Sequence, residues 1–264
     1  MKFGFIGAGK VGFSLGKYLA DNEMEVVGYY SEFKEDALEA SKFTKSSVYK
    51  NIEDLVRDSD VLFLTVPDGA IEKVWNQVKK TGISGKVVCH CSGALSSKVF
   101  SDISELGGFG YSIHPLFAVS DRYNSYKELS NSYFTIEGSP EKIGEIRQIF
   151  EKMGNKICII SAKDKVKYHA AAAIASNLVV GLIDLSEKLL MECGFERDEA
   201  GDALAPIVWG NIKHILNNGV VEALTGPIER GDADTIKKHL ATISGNARET
   251  YIAVSRQVLE VAKR

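Results

Sequence analysis

The chain has 264 residues, 45% hydrophobic and 25% charged, the balance of a globular protein able to bury a sizeable core. Its 32 Lys and Arg against 35 Asp and Glu give a formal charge of −3, spread evenly, so no basic stripe exists for nucleic acid or an anionic membrane. Disordered, collagen-like and disulfide-scaffold classes are excluded by the same composition. The opening MKFGFIGAGK shows no charged leader or cleavage site, and the longest apolar stretch, 170–183, is interrupted by Ser176, Asn177 and Gly181 and is too short to cross a bilayer. A cytoplasmic location is therefore expected. Cys89, Cys91, Cys158 and Cys193 show no metal-ligand spacing and read as buried free thiols, with no metal site expected.

In chain order, residues 2–6 read as a strand and 10–20 as a helix. Residues 25–30 form the next strand, and 61–66 (VLFLTV) has the unbroken apolar character of a strand buried on both faces. Further strands are expected at 86–91, 109–114, 133–137 and 156–160, with helical stretches between them. One of these helices covers 143–153, with Ser139 as N-cap and Pro140 as its first residue. This alternation predicts an α/β fold, a doubly wound Rossmann sheet over residues 1–160. From Ser161 onward no strand-like run occurs. A helix unbroken from 161 to 193 is expected, ending at Gly194, followed by helices near 196–217, 232–243 (N-capped by Asp232) and 246–263. Residues 161–264 thus form an all-helical substrate and dimerisation domain.

Gly7-Ala8-Gly9-Lys10-Val11-Gly12 follows the first strand and opens the first helix, the context that gives G-x-G-x-x-G its meaning. There Gly7 permits the tight turn, Gly9 lets the backbone approach a pyrophosphate, and Gly12 allows close helix–strand packing. The second strand ends Tyr30-Ser31 without the acid that usually accepts from the ribose hydroxyls. Ser31 and Lys34 favour a 2′-phosphate while Glu32 opposes it, so NADP is the expected cofactor and NAD the alternative. Thr65-Val66-Pro67-Asp68 sits at the carboxyl end of the 61–66 strand, where open α/β sheets bind ligands; Asp68 also suits a helix N-cap.

Ser92-Gly93 and His114 end strands on the same edge and are candidates for substrate contact. His114 titrates near neutrality, which suits it to bind or protonate an oxyanion, unless a neighbouring carbonyl satisfies it. His90 is expected to point away from the Cys89–Cys91 face and is not a candidate. Within the helix expected from 161, His169 and Ser176 fall within about 20° of each other and Asn177 about 80° away, so all three line one broad face. Asn177 and His169 are the candidates to polarise or protonate a carbonyl oxygen, and Arg230, in the Gly/Pro connection 224–232, to anchor a carboxylate.

Taken in order, GAGKVG, TVPD, HCSGALS, SIHPLFA, YHAAAAIASN and ALTGPIERGD resemble the Rossmann-like proteins with a DUF2520 helical C-terminal domain, a group labelled NADP oxidoreductases. The resemblance covers nearly the whole chain. More distantly, the chain is similar to the 6-phosphogluconate dehydrogenase-like C-terminal superfamily, which includes ketopantoate reductases, β-hydroxyacid dehydrogenases and pyrroline-5-carboxylate reductases. The resemblance implies an NADP-dependent oxidoreductase acting on a small 2-oxo acid, with ketopantoate the first candidate. It also supports a homodimer through the helical domain, expected in addition because that domain's first helix is apolar around much of its circumference. One departure stands out. Ketopantoate reductases and β-hydroxyacid dehydrogenases carry a helical Lys-x-x-x-Asn pair with lysine as general acid; Asn177 fits the asparagine, but Ala173 stands where the lysine belongs. Two alternatives follow: an imine reductase resembling pyrroline-5-carboxylate reductase, whose iminium arrives protonated, and a nucleotide-binding sensor or assembly protein without turnover.

Overall fold

A computed structural model describes all 264 residues, which divide into two compact units, Met1–Ser176 and Asn177–Arg264. The first unit is built on one eight-stranded sheet of order β3-β2-β1-β4-β5-β6-β7-β8. Its strands are β1 (Lys2–Ile6), β2 (Glu25–Tyr30), β3 (Ser47–Val48), β4 (Val61–Leu64), β5 (Val87–His90), β6 (Phe109–Pro115), β7 (Tyr133–Gly138) and β8 (Lys156–Ile159). Strands β1 to β6 run parallel; β7 pairs antiparallel with β6 and β8 parallel with β7. All four residues of β4 are fully buried, because helices cover both faces of a parallel sheet.

Alternation along the strands separates two cores. On one face Phe3, Phe5, Tyr29, Val61, Phe63 and Cys89 pack with the apolar side of α1 (Lys10–Asp21) and with α2 (Lys34–Thr44) and α5 (Ile143–Lys152). Phe5 lies between Tyr29 and Phe63, with ring centroids 5.1 and 5.4 Å away. On the other face Ile6, Leu62, Leu64 and Val88 meet Leu55 of α3 (Ile52–Asp58) and Trp75 of α4 (Asp68–Val78).

Several expectations are corrected. The strand at 61 stops at Leu64, since Thr65 and Val66 leave the sheet to form the loop before α4. Helix α5 begins at Ile143 with Lys142 as its N-cap, rather than at Pro140. Ser139 is unavailable as a cap because it is tied to β6, accepting from the Gly110 N–H at 3.0 Å and donating its own N–H to the Gly110 carbonyl at 3.0 Å. Of the four free cysteines, Cys89 is buried and Cys91 half-buried, but Cys158 and Cys193 are exposed.

The helix expected from 161 to 193 is broken. A 3-10 turn at Ala162–Asp164 leads into α6 (Lys165–Ala175), and α7 (Asn177–Glu192) follows after Ser176, whose φ of −126° and ψ of −82° are not helical. The boundary expected at 161 therefore differs from the packing division at Ser176/Asn177: Lys165 and Tyr168 tie α6 to the sheet strands. By length and composition alone the stretch Ala162–Glu192 is apolar enough to span a membrane. The break leaves helices of 11 and 16 residues, each short of the roughly 20 that a bilayer requires.

The second unit is all helical: α7, α8 (Arg197–Glu222), α9 (Ala233–Thr242) and α10 (Gly245–Ala262). A capping box between Glu196 and Glu199 starts α8, and Gly219, with φ +87°, kinks it near its end. Asp232 caps α9 by accepting the Thr235 N–H at 3.0 Å, and His239 meets the Tyr251 hydroxyl at 2.9 Å to join α9 to α10. Ala200 and Ala223 are the only buried apolar side chains of this unit.

Packing beneath the β1–α1 turn is tight at Gly12, where a Cβ would collide with the Thr65 hydroxyl and lie 2.6 Å from the Gly7 carbonyl oxygen. Gly12→Ala is expected to destabilise the fold by about 1–3 kcal/mol, read as a lower urea midpoint at unchanged m-value.

Candidate functional site

The turn between β1 and α1 is shaped by its glycines. Gly7 adopts φ +100°, donates its N–H to the Tyr30 carbonyl at 2.8 Å, and would drive a Cβ to within 2.8 Å of the Thr65 carbonyl oxygen. Gly9 has open space where its side chain would be. Behind it, α1 begins without a side-chain cap and without an acid in its first turn, leaving backbone N–H donors and the positive dipole end for an anion.

Two cavities flank this turn. One of about 430 Å³ is lined by Gly7, Ala8 and Gly9, by Tyr30, Ser31, Glu32, Phe33 and Asp36 after β2, and by Lys73 and Gln77 of α4. The other, about 400 Å³, is lined by Lys10 and Val11, by Asp68, and by Cys91, Ser92 and Val119. Gly9, Thr65, Val66 and Pro67 line both. An extended dinucleotide suits this shape, with diphosphate against an uncapped helix start and a glycine that leaves room for it. Lys34 is not part of the lining; it is the first residue of α2, and Lys73 is the cation of the first cavity. Gly12 acts through packing beneath the turn. Arg122 braces the turn from outside, donating to the Ala8 carbonyl at 3.0 Å and pairing with Asp36 at 3.1 Å and Glu39 at 3.0 Å.

At the far end of the second cavity the HCSGALS segment is tied down by the side chains of His90 and Ser92. His90 accepts the Ser92 N–H on Nδ1 at 3.2 Å, so its proton is on Nε2, which faces the Ser96 carbonyl at 3.2 Å. Burial pushes it down to about 4, and His90 is a structural, neutral histidine. The Ser92 hydroxyl donates to Asp68 at 2.7 Å and accepts the Ala94 and Leu95 N–H groups. Buried Glu137 of β7 accepts from the N–H and the hydroxyl of Ser97 at 2.7 and 2.8 Å. Beneath the segment lies Lys165, only 1% exposed, donating to the Ser92 carbonyl at 2.8 Å and to the Ser112 hydroxyl at 2.7 Å.

His114 and His169 close on Gly93. A Cβ there would lie 2.6 Å from His169 Cδ2 and 3.0 Å from His114 Nε2, and the two ring centroids are 6.4 Å apart. His114 Nδ1 is 2.7 Å from the Tyr168 hydroxyl. Burial, followed by the neighbouring Lys165 and His169, pushes His114 down to about 4. This corrects the expectation that it titrates near neutrality: at pH 7 it is a neutral imidazole, able to donate a hydrogen bond but not to act as an imidazolium acid. His169 is exposed on α6. Ser176 donates to the Ala172 carbonyl at 2.7 Å. Because the helix breaks there, the shared-face argument for His169, Ser176 and Asn177 no longer holds; Asn177 opens α7 of the other unit. Arg230 lies in that unit's Gly/Pro connection, its backbone N–H bonded to the Gly226 carbonyl at 3.2 Å.

Lys165, Tyr168 and Lys73 were not among the residues singled out from sequence. Lys165, Tyr168 and His169 stand at i, i+3 and i+4, a helical spacing that would have grouped them. Lys73 carried no signal beyond lying on the helix that Asp68 begins.

With this geometry established, comparison with known proteins places the chain. Residues 1–115 match a model for a Rossmann-like domain, and residues 132–258 match the family described as "Domain of unknown function (DUF2520)". The chain is a Rossmann-like protein with a DUF2520 C-terminal domain. No curated protein matches it. Among solved structures it is similar to protein TM1727 from Thermotoga maritima, at 26% identity and TM-score 0.78, covering 99% of this chain and 100% of that one. It is also similar to Plasmodium falciparum pyrroline carboxylate reductase, solved with NADP bound, at 16% identity and TM-score 0.62, covering 99% and 98%. An imine reductase of Streptomyces aurantiacus matches at 12% identity and TM-score 0.68, covering 97% and 94%.

The Gly93 contact is directly testable. Gly93→Ala is expected to shift the imidazole NMR signals of His114 and His169 while those of His90 and His239 hold, at a stability cost of about 1–2 kcal/mol. Unchanged His114 and His169 signals would mean that the rings do not close on this glycine.

Proposed function

We propose that the chain is an NAD(P)-dependent oxidoreductase that reduces the carbonyl of a small 2-oxo acid, with ketopantoate the first candidate substrate. The observation that carries this reading is the lining shared by the two cavities: Gly9 and Thr65 to Pro67 connect a phosphate-receptive turn to the Asp68–Ser92 edge. A bound nicotinamide cofactor supplies the hydride. The chain's own groups hold and polarise the acceptor: an oxygen gaining negative charge needs a donor, and His114, His169 and Asn177 are the proposed donors. Ser92, Gly93 and Ser176 are proposed to shape the substrate's seat, and Arg230 to pair with its carboxylate. NADP(H) is the preferred cofactor in this reading, supported by Ser31 in place of an acid and by Lys73 in the same lining, with Glu32 and Asp36 limiting the preference. The four unpaired cysteines suit a reducing cytosol.

A second reading is favoured by one observation. His114 is neutral at pH 7 and the ammonium of Lys165 is buried, so an imine that arrives already protonated places the smaller demand on this site.

One set of assays separates these readings. Oxidation of NADPH and NADH is followed with ketopantoate, other 2-oxo acids and cyclic imines. Turnover of a 2-oxo acid is expected, with NADPH bound about tenfold more tightly than NADH and Lys73→Ala narrowing that ratio. Turnover of cyclic imines alone selects the second reading, and tight cofactor binding with no turnover selects a sensor.

We also propose that the protein is a homodimer joined through its helical unit. In that unit Trp209 is 73% exposed and Leu216 79%, and Ile207 and Val180 are similarly uncovered. So much apolar surface around so few buried side chains calls for a second copy to cover it. Light scattering at micromolar concentration is expected to give twice the chain mass; a stable monomer would refute the dimer.

A further inference from the structure

The buried amine of Lys165 has no part in the reading above, and its surroundings assign it one. We propose that Lys165 is a positioning residue of this site: it fastens the Ser92–Gly93 turn to the face of β6 that carries His114, and so keeps that imidazole closed on Gly93. The inference deepens the reductase reading and rests on it for its catalytic meaning, but its geometry stands independently.

Three contacts carry the argument. The ammonium donates to the Ser92 carbonyl at 2.8 Å and to the Ser112 hydroxyl at 2.7 Å, and Ser112 donates to the same carbonyl at 3.1 Å. One carbonyl thus accepts from two donors, which sets the peptide plane that leads into Gly93. Ser112 stands two residues before His114 on β6, so both side chains leave the same face of that strand toward α6. The charge that orients the turn therefore also faces the imidazole.

Tyr168 fixes the orientation of His114. Its hydroxyl and His114 Nδ1 share a hydrogen bond at 2.7 Å, one α6 residue thus holding the ring that Lys165 faces. The other ring nitrogen, Nε2, is the atom 3.0 Å from where a Gly93 Cβ would lie. A second proton would give His114 a positive charge opposed by Lys165 and by His169, the other groups on α6 that face it. Asp68 at the start of α4 pulls the other way, and His90 on β5 opposes it weakly. Burial pushes Lys165 itself down to about 8, while Glu137 of β7, Cys91 just after β5 and Asp68 draw it toward its charged form. A neutral imidazole held in one orientation keeps its second ring nitrogen available to a substrate's polar atom across a wide pH range.

The test needs no substrate for its main arm. In the unmodified protein, selectively 13C-labelled lysine is expected to show Lys165 titrating near pH 8, apart from the exposed lysines, with the His114 ring signals moving at the same midpoint. In Lys165→Met, His114 is expected to take up its proton at a pH about one unit higher, a tenfold change, while His239 in the helical unit holds. His114 signals that stay flat through the Lys165 titration, or an unchanged His114 titration in a folded Lys165→Met, would overturn the proposal. Should that variant not fold, the titration of the unmodified chain decides alone. With a working substrate, Lys165→Met is expected to lower kcat at unchanged KM for the cofactor; a loss confined to cofactor KM would overturn the role. If no carbonyl or imine is turned over by the unmodified chain, the reductase reading fails while the titration still decides the tether.

Discussion

A single buried ammonium decides where the first unit ends and how its site is held. Lys165 begins α6 and is 1% exposed, and an amine so enclosed is tolerated only where oxygens surround it. The Ser92 carbonyl, just past the end of β5, and the Ser112 hydroxyl, in the middle of β6, meet that need. Leaving either oxygen unpaired would cost about 1–3 kcal/mol. Helix α6 is consequently committed to the sheet, and the packing division falls after it, at Ser176, rather than where the strand pattern ceases.

The same economy of polar groups runs through the edge. His90 spends both ring nitrogens on its own loop, Ser92 joins that loop to Asp68 at the head of α4, and Glu137 reaches across from β7 to Ser97. Strands β4, β5, β6 and β7 are thereby bound to one another by side chains beyond their backbone ladders. The loop can afford glycine at position 93 because everything around that residue is fixed. Two imidazoles close on that glycine, and the neighbouring Asp68 and Ser92 give the second cavity a polar edge.

Much of the fold was legible because it rests on local pattern. VLFL reads as a doubly covered strand, GAGKVG as a strand-to-helix turn, and Asp232 as a cap, since each depends on residues adjacent in sequence. Errors arose where a residue had a distant partner. Ser139 has the chemistry of an N-cap but is held by Gly110 on the neighbouring strand, so α5 starts later. Ser176 looks like one more polar residue on an apolar helix, yet the backbone leaves helical geometry there. Lys165 shares a helical spacing with Tyr168 and His169, but its burial was hidden for the same reason. A lysine in a run of Lys and Asp reads as solvated surface, and only the fold brings Ser92 and Ser112 over it. The glycine turn between the two cavities was readable from its spacing, whereas Lys73, the cation lining the first cavity, was not. The chemical half was readable only as a set of strand-ending polar residues.

Two histidines on neighbouring parallel strands show how environment separates structure from chemistry. His90 and His114 are both pushed down to about 4, chiefly by burial, so neither carries charge in the native state near pH 7. Both would titrate near 6.5 in an unfolded chain. As the pH falls from about 6.5 toward 4, the unfolded state therefore binds protons that the native state refuses, and native stability declines through that window; above it the two contributions are fully present. The difference between the pair lies in the ring atoms. His90 has both nitrogens engaged by Ser92 and Ser96, so its neutrality serves only the loop. His114 engages Nδ1 with Tyr168 and keeps Nε2 beside a residue without a side chain, which leaves one ring nitrogen available to a ligand. Burial alone cannot make that distinction; it is made by the glycine at 93 and by the ammonium beneath it.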